Sequence, residues 1–387
     1  RETASNLYRN YQCTQGARMT GERIAFLYLD TGYGHVSPAR ALAGAMEERY
    51  PGNVQSFLKK GFSEHMRYSR FFFEDGYRLT SNAFESAYVT FYRFTQCAPS
   101  IEFGNYLISL QGVSYLANFL RTERITKVVC LHEVLILMTR NAINRVDPAI
   151  PLITIVTDPF TAHALWFYEK NTDLVVFSRK LRDEAVNRWG FPADRIYHFP
   201  FILSRENSTR PTAEESALFR KRLGIPEGKK VLLIAGGGEG LKGADNIVSC
   251  FAKASPDMFL LVVCGRDLRL KRRAEKIVHD TAVANIMVFG FVDFMHNLLN
   301  IADCVITKGG ASLLMETLAA GKPVIFSTFI RGQELGNVLY TVYNGAGWLI
   351  RKPELIIQKA VSLLGNPEAL EQVQKNVERI RPINGLD

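Results

Sequence analysis

Six cysteines are scattered through the 387 residues, with no CxxC pair and no His/Cys spacing of zinc type among them. The chain therefore has neither a disulfide framework nor a metal knuckle to organise it. Cys130, Cys264 and Cys304 fall inside apolar runs, where a free thiol packs as a small hydrophobe, and this points to a reducing compartment. No apolar run reaches the length of a membrane span. The first residues are polar and do not read as a signal peptide. Residues 1–18 are expected to be a disordered leader ahead of Met19. No GxxxxGK[ST] occurs, which excludes a P-loop enzyme. The run 236-GGGEGLKG lacks GxGxxG spacing, and no acidic strand end follows to hold a ribose, which argues against a nicotinamide enzyme. Acidic residues are in deficit, 38 against 47 Lys and Arg, for a net charge of +9. An anionic partner is implied, and nucleic acid, an anionic membrane surface and a phosphorylated substrate all stay open.

What is present is a soluble globular composition, 47% hydrophobic and 22% charged, on a chain long enough for two domains. Short β-branched runs alternate with amphipathic stretches. The candidate strands are 23-RIAFLYLD, 127-KVVCLH, 152-LITIVTD and 174-LVVFS, then 231-VLLIA, 259-FLLVVCG, 286-IMVFG, 304-CVITK and 323-PVIFS. They are apolar nearly throughout, as strands covered on both faces must be. Strands alternating with helices predict an α/β fold of two Rossmann-like, doubly wound domains facing a cleft. Residues 200–216 read as a polar linker between them. Residues 19–203 are expected to form the acceptor- and membrane-facing domain and 204–387 the donor domain, with the last helix able to pack back on the first. Ligands bind such sheets beyond the carboxyl ends of the strands, and that is where 31-TGYGH, 236-GGGEG and 308-KGGAS lie. Glycines there let backbone N–H groups approach a phosphate at a helix start.

The block 307-TKGGASLLMETLAAGKPVIFSTFIRGQELGN, with 30-DTGYGH and 157-TDPFTAHALWFYEK, resembles the monogalactosyldiacylglycerol synthases and the bacterial diacylglycerol glucosyltransferases. More distantly it is similar to the N-acetylglucosaminyltransferase that forms lipid II. The resemblance implies the glycosyltransferase B-type fold and inverting, metal-independent transfer from a UDP-sugar co-substrate, with no other cofactor and no metal site. It assigns the diphosphate to amides around Gly236, Gly237, Gly238, Gly309 and Gly310. Ser312 and Glu316 stand one helical turn apart, and Glu316 would accept from the ribose hydroxyls. Gln333 and Glu334 would read the hexose. Asn337 either contacts the same region or caps the next helix. Phe291 is either beside the uracil or in the core, and Lys308 either neutralises phosphate or is a solvated turn residue.

His35 opens a helix whose dipole is expected to keep the imidazole neutral, so that it can serve as base for, or orient, the acceptor alcohol. Asp158 is the second candidate, as base or as the group that tunes His35. Gly32, Tyr33, Gly34, His163 and Trp166 are expected around the acceptor, whereas His132 reads as structural. Tyr33 stands where the family more often has Gly, and 36-VSPA replaces a more usual Arg-containing segment.

Between Phe57 and Phe94 twelve aromatics interleave with six Lys or Arg residues. That combination suits a surface dipping into anionic headgroups, with part of the stretch in the core. Nothing else supports nucleic acid, and the basic run 266-RDLRLKRRAEK reads as a solvated helix face. The expected function is hexosyl transfer, of glucose or galactose, to a membrane lipid alcohol. Diacylglycerol is the first candidate, at the inner face of the cell membrane, by a peripheral cytoplasmic enzyme. The alternatives are N-acetylhexosaminyl transfer to a polyprenyl-linked acceptor and an inert UDP-sugar sensor.

Overall fold

A computed structural model describes residues 21–29, 33–70, 95–96, 98–207 and 209–386. The first sheet contains β1 (Glu22–Tyr28), β2 (Val54–Lys60), β3 (Lys127–Cys130), β4 (Leu152–Ile155), β5 (Asp173–Val176) and β6 (Ile196–His198). The second contains β7 (Lys230–Ala235), β8 (Met258–Val263), β9 (Ile286–Phe289), β10 (Cys304–Lys308), β11 (Val324–Thr328) and β12 (Gly347–Leu349). Their orders are β2-β1-β3-β4-β5-β6 and β12-β11-β10-β7-β8-β9, and every pairing is parallel. These are the two doubly wound sheets of the glycosyltransferase B-type fold.

Burial explains the continuous apolar runs. Along β1, Ala25 and Leu27 join one buried cluster while Ile24, Phe26 and Tyr28 join another. Along β7, Val231, Leu233 and Ala235 face one core and Leu232 and Ile234 the opposite one. A side chain every second residue on each face leaves no solvent side for polar residues.

Three strands escape the apolar-run criterion. β2 is an edge strand, half-buried and alternating, and β6 and β12 are three-residue edges. Phe57 consequently lies on β2, against Phe119 at 6.3 Å and under the Arg23 guanidinium, and Phe62 is buried. Both belong to the part of the stretch expected in the core; residues 71–94, which hold most of its aromatics, lie outside the described residues. The linker also reads differently. Phe201, Ile202 and Leu203 are buried, and residues 213–222 form a helix with a Thr212/Glu215 capping box.

Helices α1 (Tyr33–Arg49), α3 (Ala311–Ala319) and α4 (Leu335–Tyr343) border the cleft, and α2 (Ala98–Thr122) lies away from it. α1 and α3 meet across it. A Cβ on Gly34 would stand 4.0 Å from Ser312 Oγ. Phe160, after β4, stacks on Tyr340 of α4 at 4.0 Å and 17°. Gly336 is what allows that approach, since a Cβ there would meet Thr161 Oγ1 and the Phe160 carbonyl carbon at 2.1 and 2.8 Å. The chain also returns to its own crossover. Leu203 donates its N–H to Asn384 Oδ1 at 2.9 Å, and Gly385 donates to the Phe201 carbonyl at 2.9 Å.

α2 presents an unexpected face. Phe103, Tyr106, Leu107 and Leu110 are 50–65% exposed, while Ile101 and Ile108 are buried. The exposed set has i, i+3, i+4, i+7 spacing, a single apolar stripe. Among the described residues no helix is long and apolar enough to cross a membrane.

Candidate active site

Between the sheets lies a cavity of about 750 Å³. Its floor on the second sheet is built by two glycine-rich turns. After β7 the chain folds back so tightly that a Cβ on Gly236 would fall 2.1 Å from the Gly240 carbonyl oxygen. Gly240 itself has φ +73°, and a Cβ there would meet the Cys264 carbonyl oxygen at 2.5 Å. Only glycine meets both demands. After β10, Gly310 precedes α3 with no side-chain cap, so the first amides of α3 are left for a ligand. Gly236, Gly237, Gly238, Gly310 and Ser312 line the cavity. Gly309 does not. It is packed under the site, where a Cβ would press at 3.0–3.1 Å on Glu334, Phe329 and Val338.

Glu316 lines the same wall one turn into α3. Burial, then the nearby Glu206 carboxylate, pushes its pKa up to about 7. Phe291, 46% exposed, also lines the cavity, with the Arg266 guanidinium 5.3 Å from its ring centre. It is therefore no core aromatic. Sequence reading missed Arg266, since nothing in a basic run marks the one residue at the cavity.

Lys308 at the end of β10 and Ile330 and Glu334 after β11 are tied to one another. Glu334 Oε2 accepts from the Ile330 N–H at 2.8 Å, and Oε1 lies 3.5 Å from Lys308 Nζ. The Lys308 ammonium is thus partnered and not a simple solvated turn residue. Asn337 does not cap α4, being inside it. Its Nδ2 donates to the Gly309 carbonyl at 2.7 Å, while its Oδ1 is buried with no hydrogen-bond partner. An unsatisfied acceptor on a cavity wall is an opening for a ligand hydroxyl.

On the opposite wall His35 is 9% exposed, in the first turn of α1. Its Nδ1 lies 2.8 Å from the Leu131 carbonyl oxygen and 2.9 Å from Thr157 Oγ1. A carbonyl only accepts, so Nδ1 carries the proton and Nε2 keeps its lone pair. Burial, followed by the neighbouring His132, pushes the pKa down to about 4. Desolvation therefore does what the helix dipole was expected to do. His132 sits with its ring centre 4.3 Å away, and its Nδ1 accepts from the Val134 N–H.

Asp158 ends the neighbouring strand segment, and its surroundings disqualify it as a ready base. Trp166 Nε1 donates to Oδ2 at 3.2 Å and Gln333 Nε2 to Oδ1 at 3.3 Å. Burial, then the Glu133 charge, nevertheless pushes the carboxyl up to about 8, so most of it holds its proton at pH 7. Trp166 is fully buried beneath Asp158 and does not reach the cavity. His163 does not reach it either. Its Nδ1 accepts from the Leu165 N–H to start a short 3-10 turn, and its Nε2 lies 3.2 Å from Thr95 Oγ1. Both leave the expected acceptor set for this structural reason. Gly34 does line the cavity, Tyr33 opens α1, and Gly32 lies outside the described residues.

These features meet what comparison with known proteins finds. Residues 35–200 match the monogalactosyldiacylglycerol (MGDG) synthase model, and 231–383 match the glycosyltransferase family 28 C-terminal domain. The chain thus carries an MGDG synthase domain followed by a glycosyltransferase family 28 C-terminal domain. The chloroplastic MGDG synthase of Spinacia oleracea is 28% identical over 372 residues, 90% of this chain and 67% of that protein. The processive diacylglycerol β-glucosyltransferase of Bacillus subtilis is 28% identical over 249 residues, 63% of this chain and 62% of that one. Among solved structures, Acinetobacter baumannii MurG superposes with a TM-score of 0.60 at 14% identity, covering 92% and 95% of the two chains. Anabaena HepE in complex with UDP and glucose gives 0.58 at 11%, covering 92% and 94%. At such identities these neighbours speak for the fold alone. Both matched domains are of glycosyltransferase type, and the chain is a glycosyltransferase of family 28 type.

Proposed function

We propose that this family member is an inverting, metal-independent transferase that moves glucose or galactose from UDP to a membrane lipid alcohol, diacylglycerol foremost. The names of the relatives support the lipid acceptor. The observation that carries the chemistry is the placement of His35. Leu131 and Thr157 fix its tautomer, and the α1 turn that bears it faces the uncapped start of α3, where a Cβ on Gly34 would already be in van der Waals contact with Ser312 Oγ.

In this reading residues 204–387 hold the donor. Amides of Gly236–Gly238 and of the α3 start take the diphosphate and the charge that grows on departing UDP. Glu316 accepts from the ribose hydroxyls, Phe291 and Arg266 flank the uracil, and Gln333 and Asn337 Oδ1 meet the hexose. Glu334 and Lys308 hold the loop that presents them. Residues 19–203 bring the acceptor. Its hydroxyl oxygen attacks the anomeric carbon from the face opposite UDP while His35 Nε2 takes the proton. The bond from that carbon to the phosphate oxygen breaks, UDP leaves, and an α-linked donor yields a β-glycolipid. An imidazole this reluctant to protonate is a weak base, but at neutral pH every molecule has it in the accepting form. The α2 stripe suits a peripheral contact with the cytoplasmic leaflet.

The test offers UDP-glucose, UDP-galactose and UDP-N-acetylglucosamine with diacylglycerol in anionic vesicles containing EDTA. Glycolipid should form from one of the two hexoses, with β configuration, and His35→Ala should lower kcat by about 10²–10⁴-fold. UDP binding without transfer to diacylglycerol from any donor would overturn the lipid assignment.

A further inference from the structure

His35 has two neighbours that sugar transfer does not use. One ring nitrogen of His35, one of His132 and a carboxylate oxygen of Glu133 all lie within 4.8 Å of one another. Glu133 Oε2 stands 3.5 Å from His132 Nδ1 and is buried without a hydrogen-bond partner. Burying a carboxylate oxygen unsatisfied is costly, and a cation is one remedy.

The donor set indicates which cation. Two imidazoles and one carboxylate form a His2Glu set, which zinc and other borderline ions take readily. Magnesium and calcium prefer oxygen throughout. The Leu131 carbonyl on Nδ1–H of His35 is the outer support that, at metal sites, aims the other ring nitrogen at the ion. Ligand atoms around tetrahedral zinc stand about 3.4 Å apart, so from separations of up to 4.8 Å the trio must contract by up to about 1.4 Å. Glu133, with a long side chain 16% exposed, has the freedom to do so. His35 also lines the cavity, which gives an ion a route to the trio.

We propose that His35, His132 and Glu133 form a binding site for a zinc-like transition-metal ion, and that its occupancy switches transfer off. A metal on Nε2 of His35 occupies the lone pair that would otherwise receive the acceptor proton. Metal-free catalysis and metal inhibition then share one residue. Only the inhibitory consequence rests on the reading of His35 as base; the binding does not.

The test has two arms. In the first, EDTA-stripped protein is dialysed against buffered zinc, and bound metal per chain is measured by elemental analysis. Wild type should hold one equivalent, and Glu133→Gln and His132→Gln should weaken it by about tenfold or more, with circular dichroism showing that both variants fold. Equal zinc binding by wild type and Glu133→Gln would place the metal elsewhere, on cysteines or the surface, and overturn the site. So would retention of no zinc at all. In the second arm, zinc should inhibit glycolipid formation, EDTA should restore it and magnesium should leave it unchanged. Glu133→Gln should keep the metal-free rate and lose the inhibition. Inhibition that persists undiminished in Glu133→Gln would overturn the switch. If no donor and acceptor react, the functional reading fails while the dialysis arm still decides the site.

Discussion

Gln333 donates its side-chain amide to Asp158 at 3.3 Å, joining the loop before α4 to the segment after β4 across the cleft. In the proposed function the bond ties the residue that meets the hexose to the acceptor wall, so that the two would be read together. Gln333→Ala should raise the KM for UDP-hexose and lower kcat/KM by at least about tenfold, the value of a buried polar contact of roughly 1.4 kcal/mol. UDP affinity, measured calorimetrically, should stay within a few-fold, since the nucleotide is held elsewhere. An equal loss of UDP affinity would remove Gln333 from the hexose subsite.

Glu316 gives a pH-dependent prediction with a definite sign. Burial and Glu206 hold its folded pKa at about 7, above the ordinary carboxylate value. The folded state thus binds this proton more tightly than the unfolded chain does. Stability is greatest at low pH and falls as pH rises through the interval between the two values. Glu316→Gln should therefore raise the melting temperature at pH 8, by an effect of order 2 kcal/mol, and leave it unchanged at pH 4. The same variant should bind UDP more weakly, because the ribose loses an anionic acceptor. Thermal melts at both pH values and UDP titrations check this. Stabilisation that is equal at both would detach it from the carboxyl.

Gly336 lies where two backbones touch. In Gly336→Ala the new methyl meets Thr161 and the Phe160 backbone. A clash with backbone is relieved only by moving the two sheets apart, at a cost of about 1–3 kcal/mol. Transfer should fall while UDP binding and helix content persist, and solution scattering should show a larger radius. Gly336→Ala with full activity would mean that this contact yields without consequence.

The α2 stripe predicts where lipid contact is made. Replacing Leu107 and Leu110 by Ser should weaken sedimentation with anionic vesicles, by about 1.5–3 kcal/mol for each leucine that is fully buried in the interface. The melting temperature should not change, since both side chains already face solvent. Undiminished vesicle binding would move the membrane contact away from α2.

How much of this was legible beforehand depends on what each residue faces. Strands such as β7 and β8 were readable because both faces are buried, so nearly every position is apolar. β2 was not, because an edge strand with one wet face shows Lys59 and Lys60 beside Phe57 and Leu58. α2 is apolar nearly all round in its first half, so periodicity alone cannot say that Ile108 is inside and Leu107 outside. Glycine-rich turns announced the donor wall, since tight turns at strand ends restrict residue type. Trp166 and His163 shared a motif with Asp158, yet one lies beneath it and the other starts a helical turn. The sequence order of a motif does not encode which side chains its backbone turns toward the cavity. The Asp158–Gln333 and Phe160–Tyr340 pairs join residues about 175 positions apart, beyond any local pattern.

The return of residues 384 and 385 to the crossover has a mechanical consequence. The two lobes are joined by a doubled ribbon, one ply at 201–203 and the other at 384–385, bonded to each other. A single peptide strand swivels freely about its own bonds, whereas two bonded plies resist torsion and still bend. Release of UDP and product should accordingly proceed by a flap-like opening about one line, which keeps His35 and the α3 start in register each time the jaws shut.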